Sequence, residues 1–279
     1  MECYNENGIG SNIDEYLLKI IMNRRILFGN SLNITNLLAS LPSIKYLSRL
    51  NPEISTYLPI NRDFLDLGPI FSNLYYLDGT FAARNAKLTD IDNKNTKLFK
   101  FVNVHDPSQL LDPQYFKTRH LTQEIFHSYF NKDCPDLDIQ IELNKWFGVP
   151  HLDKYVAMFY DSNEIIDRKV VENVRDLFKG LGYHIMWVDN DWESLSFENI
   201  QDILSCEFAI TINNDLNYIL SGYKFPLIGL YSNKEYIVNE VNYIKNVQPV
   251  NPNAIYLDSS DINKIEIDRI ENAIKLIKL

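Results

Sequence analysis

From Arg24 onward, short apolar runs alternate with stretches in which apolar residues recur every three to four positions. The segment RRILFGNSLNITNLLASLPSIKYLSRLNPEISTYLPI predicts a strand, a polar turn, an amphipathic helix and a second strand. Leu37, Leu38, Leu41, Ile44 and Leu47 repeat at helical spacing from Asn36, whereas Ile54, Thr56 and Leu58 alternate as in a half-buried strand. Pro42 falls inside the helical run, where it either kinks the helix or marks its start. LYYLDG and KLFKFVNVHD read as further strands, and HLTQEIFHSYFNK as a helix with Leu121, Ile125, Phe126 and Tyr129 on one side.

After Pro150 the alternation becomes more regular. KYVAMFY, GYHIMWVD, EFAITIN, PLIGLYS and AIYLD read as strands, separated by RKVVENVRDLFKGLG, FENIQDILSC and DLNYILSGY as helices. INKIEIDRIENAIKLIKL ends as a C-terminal helix. In the first of these helices Val170, Val171, Val174, Leu177 and Phe178 face inward, with Gly180 or Gly182 at the C-terminal end. Strands alternating with helices at this spacing imply α/β architecture, with a parallel sheet covered by helices on both faces. A stretch of Asp, Pro and short apolar pieces from Cys134 to Pro150 places a domain boundary near its end, giving domains 1–150 and 151–279.

Composition narrows the classes of function. The 279 residues suffice for two domains, and 46% apolar with 13% aromatic residues is enough for two cores. A formal charge of -10 opposes broad binding to nucleic acid, which needs a basic surface to displace counterions. Three cysteines, Cys3, Cys134 and Cys206, form no CxxC pair, so neither a disulfide framework nor a zinc site is expected. No apolar stretch reaches the roughly 20 residues that span a bilayer, and the opening residues lack a signal-peptide pattern. The expectation is a cytoplasmic protein, with peripheral attachment to the inner face of a membrane as a further location. Ten glycines leave no long glycine-rich phosphate loop, so helix N-termini must serve any phosphate.

In doubly wound sheets, ligands bind where strand carboxyl ends lead into helices. Asn30, Ser31, Asn33 and Asn36 crowd the first such turn. After KYVAMFY come Asp161, Ser162 and Asn163, with Arg168 and Lys169 shortly beyond: a hydroxyl, an amide and two cations opening a helix suit a diphosphate. They suit a solvated, capped helix start at least as well. After EFAITI come Asn213, Asn214 and Asp215, then Asn217 and Tyr218, which suit an Asx turn or a ribose and phosphate contact. His105 ends a predicted strand. Asp189-Asn190-Asp191 reads as a DxD of the kind that holds a divalent ion, but Asp136/Asp138 and Asp90/Asp92 repeat the pattern, and no metal is assigned. No HExxH or GxSxG is present.

SLNITNLLASLP followed by NPEISTYLPI resembles the opening of family 9 glycosyltransferases, the ADP-heptose:lipopolysaccharide heptosyltransferase-like group. Their first loop reads Gly-Asp, several apolar positions, then Thr-x-Pro. IQDILSCEFAITINNDLNYILSGYKFPLIGLYS is similar to that family's second signature, a helix and strand before Asp-Ser-Gly-x-x-His and a run ending in proline and strand. Counting back from Pro226, Asn213 and Asn214 fall on the family's Asp and Ser, Asp215 on its Gly and Tyr218 on its His. Counting back from Pro42, Thr35 falls on the Gly and Asn36 on the catalytic Asp.

The resemblance implies the GT-B fold, two Rossmann-like α/β domains with parallel sheets facing each other across a cleft. It implies a nucleotide-sugar donor held by the second domain and a glycan, lipid-linked or other hydroxyl acceptor held by the first, without metal or cofactor. Ser162, Asn163, Arg168, Lys169, Asn213, Asn214 and Tyr218 would line the donor site, with Asn33 and His105 on the acceptor side. Asn36 cannot remove a proton as an ionised carboxylate can. Either another residue does that work, with Asp215, Asp161 and His105 as candidates, or the chain is a catalytically inactive GT-B-like binding or assembly protein.

Overall fold

The computed structural model describes residues 3–4, 10–11, 25–28, 34–50, 52, 55–72, 74–83, 96–99, 119–130, 133–134, 137–144, 151–160, 166–189, 196–212 and 214–277. The chain divides into two compact units, Met1–Ile139 and Gln140–Leu279. Residues just after the division belong with the second unit for a local reason. The Leu143 amide donates to the Gly222 carbonyl at 2.8 Å, and the side chains of Ile141 and Leu143 are buried.

In the N-terminal unit, β1 (Cys3–Tyr4) pairs antiparallel with β2 (Gly10–Ser11). β3 (Arg25–Phe28) is followed by α1 (Ile34–Leu50), β4 (Ser55–Asn61), a 3₁₀ turn and the short α2 (Gly68–Ser72). β5 (Gly79–Ala83), β6 (Thr96–Phe99) and α3 (Leu121–Phe130) complete the described elements. The sheet order is β5-β4-β3-β6, every pair parallel.

Of the two readings of Pro42, a helix start is excluded, for α1 runs through it from Ile34 to Leu50. The Pro ring leaves the Leu38 carbonyl without its intrahelical donor. One turn away, the Ser40 hydroxyl donates to the Leu37 carbonyl at 2.6 Å. LYYLDG is not a strand. Its residues form turns, with Leu74 and Tyr76 buried, and the strand begins only at Gly79. Aromatic content alone does not make a strand where turn bonds, such as Leu77 amide to Leu74 carbonyl at 2.9 Å, satisfy the backbone locally.

The C-terminal unit follows the strand-helix alternation closely. It consists of β7 (Tyr155–Tyr160), α4 (Arg168–Gly180), β8 (His184–Asp189), α5 (Phe197–Ser205), β9 (Phe208–Thr211), α6 (Asn214–Gly222) and β10 (Leu227–Ser232). A small hairpin, β11 (Ile237–Val238) and β12 (Val241–Asn242), then precedes β13 (Ala254–Ser259) and α7 (Ile267–Ile277). The five-stranded sheet has the order β13-β10-β9-β7-β8 and is wholly parallel.

Central strands of such a sheet are buried on both faces, which is why β9 reads as an unbroken apolar run and all four of its residues are buried. The α4 helix buries Val174 and Phe178 against this sheet, beside Phe208 and Ile210. It ends where Gly182 takes φ +83, a left-handed conformation that glycine adopts at no steric cost. The Tyr183 amide closes that turn on the Phe178 carbonyl at 3.0 Å.

Candidate functional site

Strand order fixes where a ligand crevice can form. From β7 the chain crosses to β8 on one side, whereas from β9 it proceeds to β10 and β13 on the other. The connections leaving β7 and β9 therefore diverge to opposite faces, and the carboxyl ends of these two neighbours form the topological switch point of the sheet. Met158 on β7 pairs with Ile210 on β9, so Tyr160 and Ile212 reach the same rim together. The N-terminal sheet has its own switch point between β3 and β6, and α1 opens from the end of β3.

The two helices leaving the C-terminal switch point differ in charge. The first turn of α4 holds no acidic residue and begins with Arg168 and Lys169. Among the described residues no side chain caps it: Asp167 occupies the N-cap position without a side-chain cap bond. By contrast, α5 is capped by Ser196, whose hydroxyl accepts from the Asn199 amide at 3.1 Å. Arg168 is almost wholly exposed and pairs with Glu172 at 3.0 Å, a solvent-screened contact that leaves the guanidinium free to turn elsewhere. Lys169 is exposed as well. A helix start carrying two exposed cations attracts anions through their charge and the helix dipole.

At α6 the charge is reversed: Asp215 lies in its first turn and is partly buried, and its negative charge there disfavours a phosphate. The start of α4 is thus the better anion site of the two helices. The entry into α4 is also fixed from outside the helix. The Asp167 amide donates to Asn263 Oδ1 at 2.7 Å, a contact across 96 positions with no local sequence signal. The one local sequence feature at this turn is the Asx turn at Asp261, whose carboxylate accepts from the Asn263 amide at 3.0 Å.

Tyr218 is a correction. Its ring is completely buried and its hydroxyl donates to the Val247 carbonyl at 3.0 Å, so it packs the core under α6 and does not line the rim. Burial pushes its hydroxyl well above the ordinary tyrosine range. Asn217 beside it is equally buried and donates to the Tyr231 hydroxyl at 2.9 Å. One turn further, the Ser221 hydroxyl meets that of Tyr256 at 2.9 Å. These contacts hold α6 against β10 and β13.

Asn36 lies in the first turn of α1, 4% exposed, at the end of the N-terminal sheet that carries its switch point. Asn214 opens α6. Asn33, His105, Asp161, Ser162, Asn163 and Asn213 lie outside the described residues. Asp189 ends β8 opposite Tyr160, and the rest of that DxD lies outside as well. Among the described residues no group of three His, Cys, Asp or Glu side chains is arranged to hold a metal ion. No helix among them is long and apolar enough to cross a membrane.

No protein-family model matches the chain, and no curated protein matches it. Solved structures do. The glycosyl transferase family 9 protein from Veillonella parvula superposes with a TM-score of 0.66 at 11% identity, over 91% of this chain and 97% of that one. The fold is that of family 9 glycosyltransferases. E. coli heptosyltransferase WaaC with ADP gives a TM-score of 0.58 at 8% identity, covering 91% of this chain and 99% of its own. The iron-containing dodecameric glycosyltransferase TibC from enterotoxigenic E. coli gives 0.56 at 12% identity, covering 92% of this chain and 76% of its own. In each comparison about nine residues in ten differ.

Proposed function

We propose that the protein is a glycosyltransferase that moves a sugar from a nucleotide-sugar donor to a hydroxyl acceptor, with the donor taken by the C-terminal unit and the acceptor by the N-terminal one. The observation that carries this reading is the β7/β9 switch point with the doubly cationic start of α4 following β7. Helix N–H groups, Arg168 and Lys169 stabilise the diphosphate as negative charge builds on it during departure from the sugar. In this reading Ser162, Asn163, Asn213 and Asn214 complete the donor site, and Asn33 and His105 face the acceptor. The likeness to WaaC, a structure that contains ADP, and to TibC, also solved in complex with ADP-D-beta-D-heptose, supports a nucleotide sugar as donor.

Proton removal from the acceptor falls to Asp215, Asp161 or His105, because Asn36 has no basic lone pair of comparable strength. With the diphosphate neutralised by helix ends and cations, the reaction proceeds without a metal ion, in the cytoplasm. Two experiments test the proposal: calorimetry with ADP, GDP, UDP and CDP, and turnover of a panel of nucleotide sugars by the intact protein with Lys169→Ala and Asp215→Asn as controls. Binding lost in the first variant and turnover lost in the second support it. Absence of nucleotide binding to the unmodified protein defeats it.

A further inference from the structure

The carboxyl ends of β10 and β13 meet in a polar cluster. Asn233, just past β10, donates its side-chain amide to Asp258 Oδ2 on β13, and Asn242 on β12 donates to the same oxygen at 2.8 Å. Asn242 is satisfied at both ends of its amide, because its own Oδ1 accepts from the Ile244 amide at 3.0 Å. Asn233 is not. It occupies the N-cap position of the 3₁₀ turn Lys234–Tyr236, where an Asn oxygen ordinarily accepts from a turn amide, yet it makes no side-chain cap bond. The residue is 7% exposed, and its Oδ1 is buried without a hydrogen-bond partner among the described residues. An acceptor shut away from water with no donor costs stability, so a native structure keeps one only where something else is gained.

We propose that Asn233 and Asp258 form a subsite for a neutral, hydroxyl-bearing group, the sugar of the nucleotide-sugar donor. Its hydroxyls donate to the Asp258 carboxylate, which is partly exposed, and to Asn233 Oδ1, which a turn of the carboxamide brings onto them. Charge selects this class of ligand. The Asp258 carboxylate disfavours an anion. A metal ion is disfavoured by the two amides that point N–H groups at Asp258 Oδ2, and by the Arg269 guanidinium, which donates to the Asp258 carbonyl at 3.1 Å. A hydroxyl both donates and accepts, which suits acceptor oxygens interleaved with amide hydrogens. All five strands are parallel, so the cluster shares the rim of the β7/β9 switch point, and β10 is two strands from β7, about 10 Å. A diphosphate at the switch point would thus carry its sugar toward it. Naming the sugar rests on the donor reading above, whereas the unpartnered acceptor does not depend on it.

The test uses the full chain and three proteins: the unmodified one, Asn233→Ala, and Asn242→Ala, which loosens the hairpin but keeps the Asn233 acceptor. Calorimetry compares ADP, GDP, UDP and CDP with their hexose conjugates and with ADP-heptose. In parallel, the side-chain amide signals of Asn233 in the unmodified protein are followed by NMR during titration with free glucose and mannose. Asn233→Ala is expected to weaken binding of the best nucleotide sugar by about five-fold, the equivalent of one ordinary hydrogen bond, and to leave the matching nucleoside diphosphate unchanged. Asn242→Ala should match the unmodified protein with both. Unchanged nucleotide-sugar affinity in Asn233→Ala overturns the subsite, and so does an equal loss in Asn242→Ala, which would mean that the cluster only anchors the hairpin. An equal loss for the nucleoside diphosphate overturns the sugar assignment, since the ribose would then supply the hydroxyls. If the unmodified protein binds no nucleotide, the donor reading falls and the free sugars decide: a saturating shift of the Asn233 signals supports the subsite, and no shift overturns it.

Discussion

The Nδ2 of Asn217 donates to the hydroxyl of Tyr231 at 2.9 Å in a place with no exposure at Asn217. This bond joins the first turns of α6 to β10, and burial keeps the Tyr231 hydroxyl protonated well beyond its ordinary range. Removing the amide with Asn217→Ala deletes a buried hydrogen bond and leaves a void, so a loss of about 1–3 kcal/mol in unfolding free energy is expected. Chemical denaturation checks it, and a change below experimental error would show that α6 is held by its apolar contacts alone.

Tyr218 separates packing from ligand contact. Tyr218→Phe keeps the ring in its buried place and removes only the bond to the Val247 carbonyl. Stability should fall by about 1 kcal/mol, with affinity for nucleoside diphosphates unaltered. An affinity loss at full stability would return Tyr218 to the donor site.

The cations of α4 should act through charge. Lys169→Ala is expected to weaken diphosphate binding by about tenfold, roughly 1.4 kcal/mol, and the difference from the unmodified protein should shrink as salt is raised to about 1 M, where the screening length falls to about 3 Å. Titrations at low and high salt decide the matter. A salt-independent deficit would point to lost packing by the lysine stem.

Gly222 closes the α6 end on the segment after Ile139. A Cβ there would meet Leu143 Cγ at 2.6 Å and Cδ1 at 2.7 Å, with Ile141 Cγ2 at 3.1 Å. Gly222→Ala should therefore cost about 1–3 kcal/mol as the Leu143 side chain is displaced. Pairing it with Leu143→Ala should recover part of the loss relative to the sum of the single changes, which a double-mutant cycle measures.

Cys206 is buried, and its thiol is pushed up to about 11, chiefly by that burial. The neutral thiol is the form favoured in the native state. Its contribution to stability is therefore present below the unfolded-state value near 9 and is lost as pH rises from there through about 11. At pH 8 a thiol reagent should label the partly exposed Cys134 well before Cys206, with mass spectrometry assigning each site. Equal labelling would show that the α5–β9 junction opens readily.

Much of this fold was legible because each C-terminal element signals its own type. The α4 stripe Val170, Val171, Val174, Leu177 and Phe178, and the apolar FAIT of β9, leave little freedom of assignment. Strand order was not legible, yet it decides that the ends of β7 and β9 are the switch point. LYYLDG misled because Leu74 and Tyr76 are buried from a turn, a context that period-two patterning does not distinguish. Tyr218 misled for a related reason: motif alignment gives a helix position but not the face it presents, and this face meets the core. Asn263 was invisible because its partner lies 96 residues away.

The all-parallel C-terminal sheet has a broader consequence for how such a chain can change. Its strands all point the same way, so the residues that meet solvent at one rim are nearly disjoint from those, such as Phe178, Phe208 and Ile228, that fill the interior. A polar residue can then be exchanged at the start of a helix while the interior keeps its shape. Divergence in chemistry and persistence of form follow from the same geometric separation.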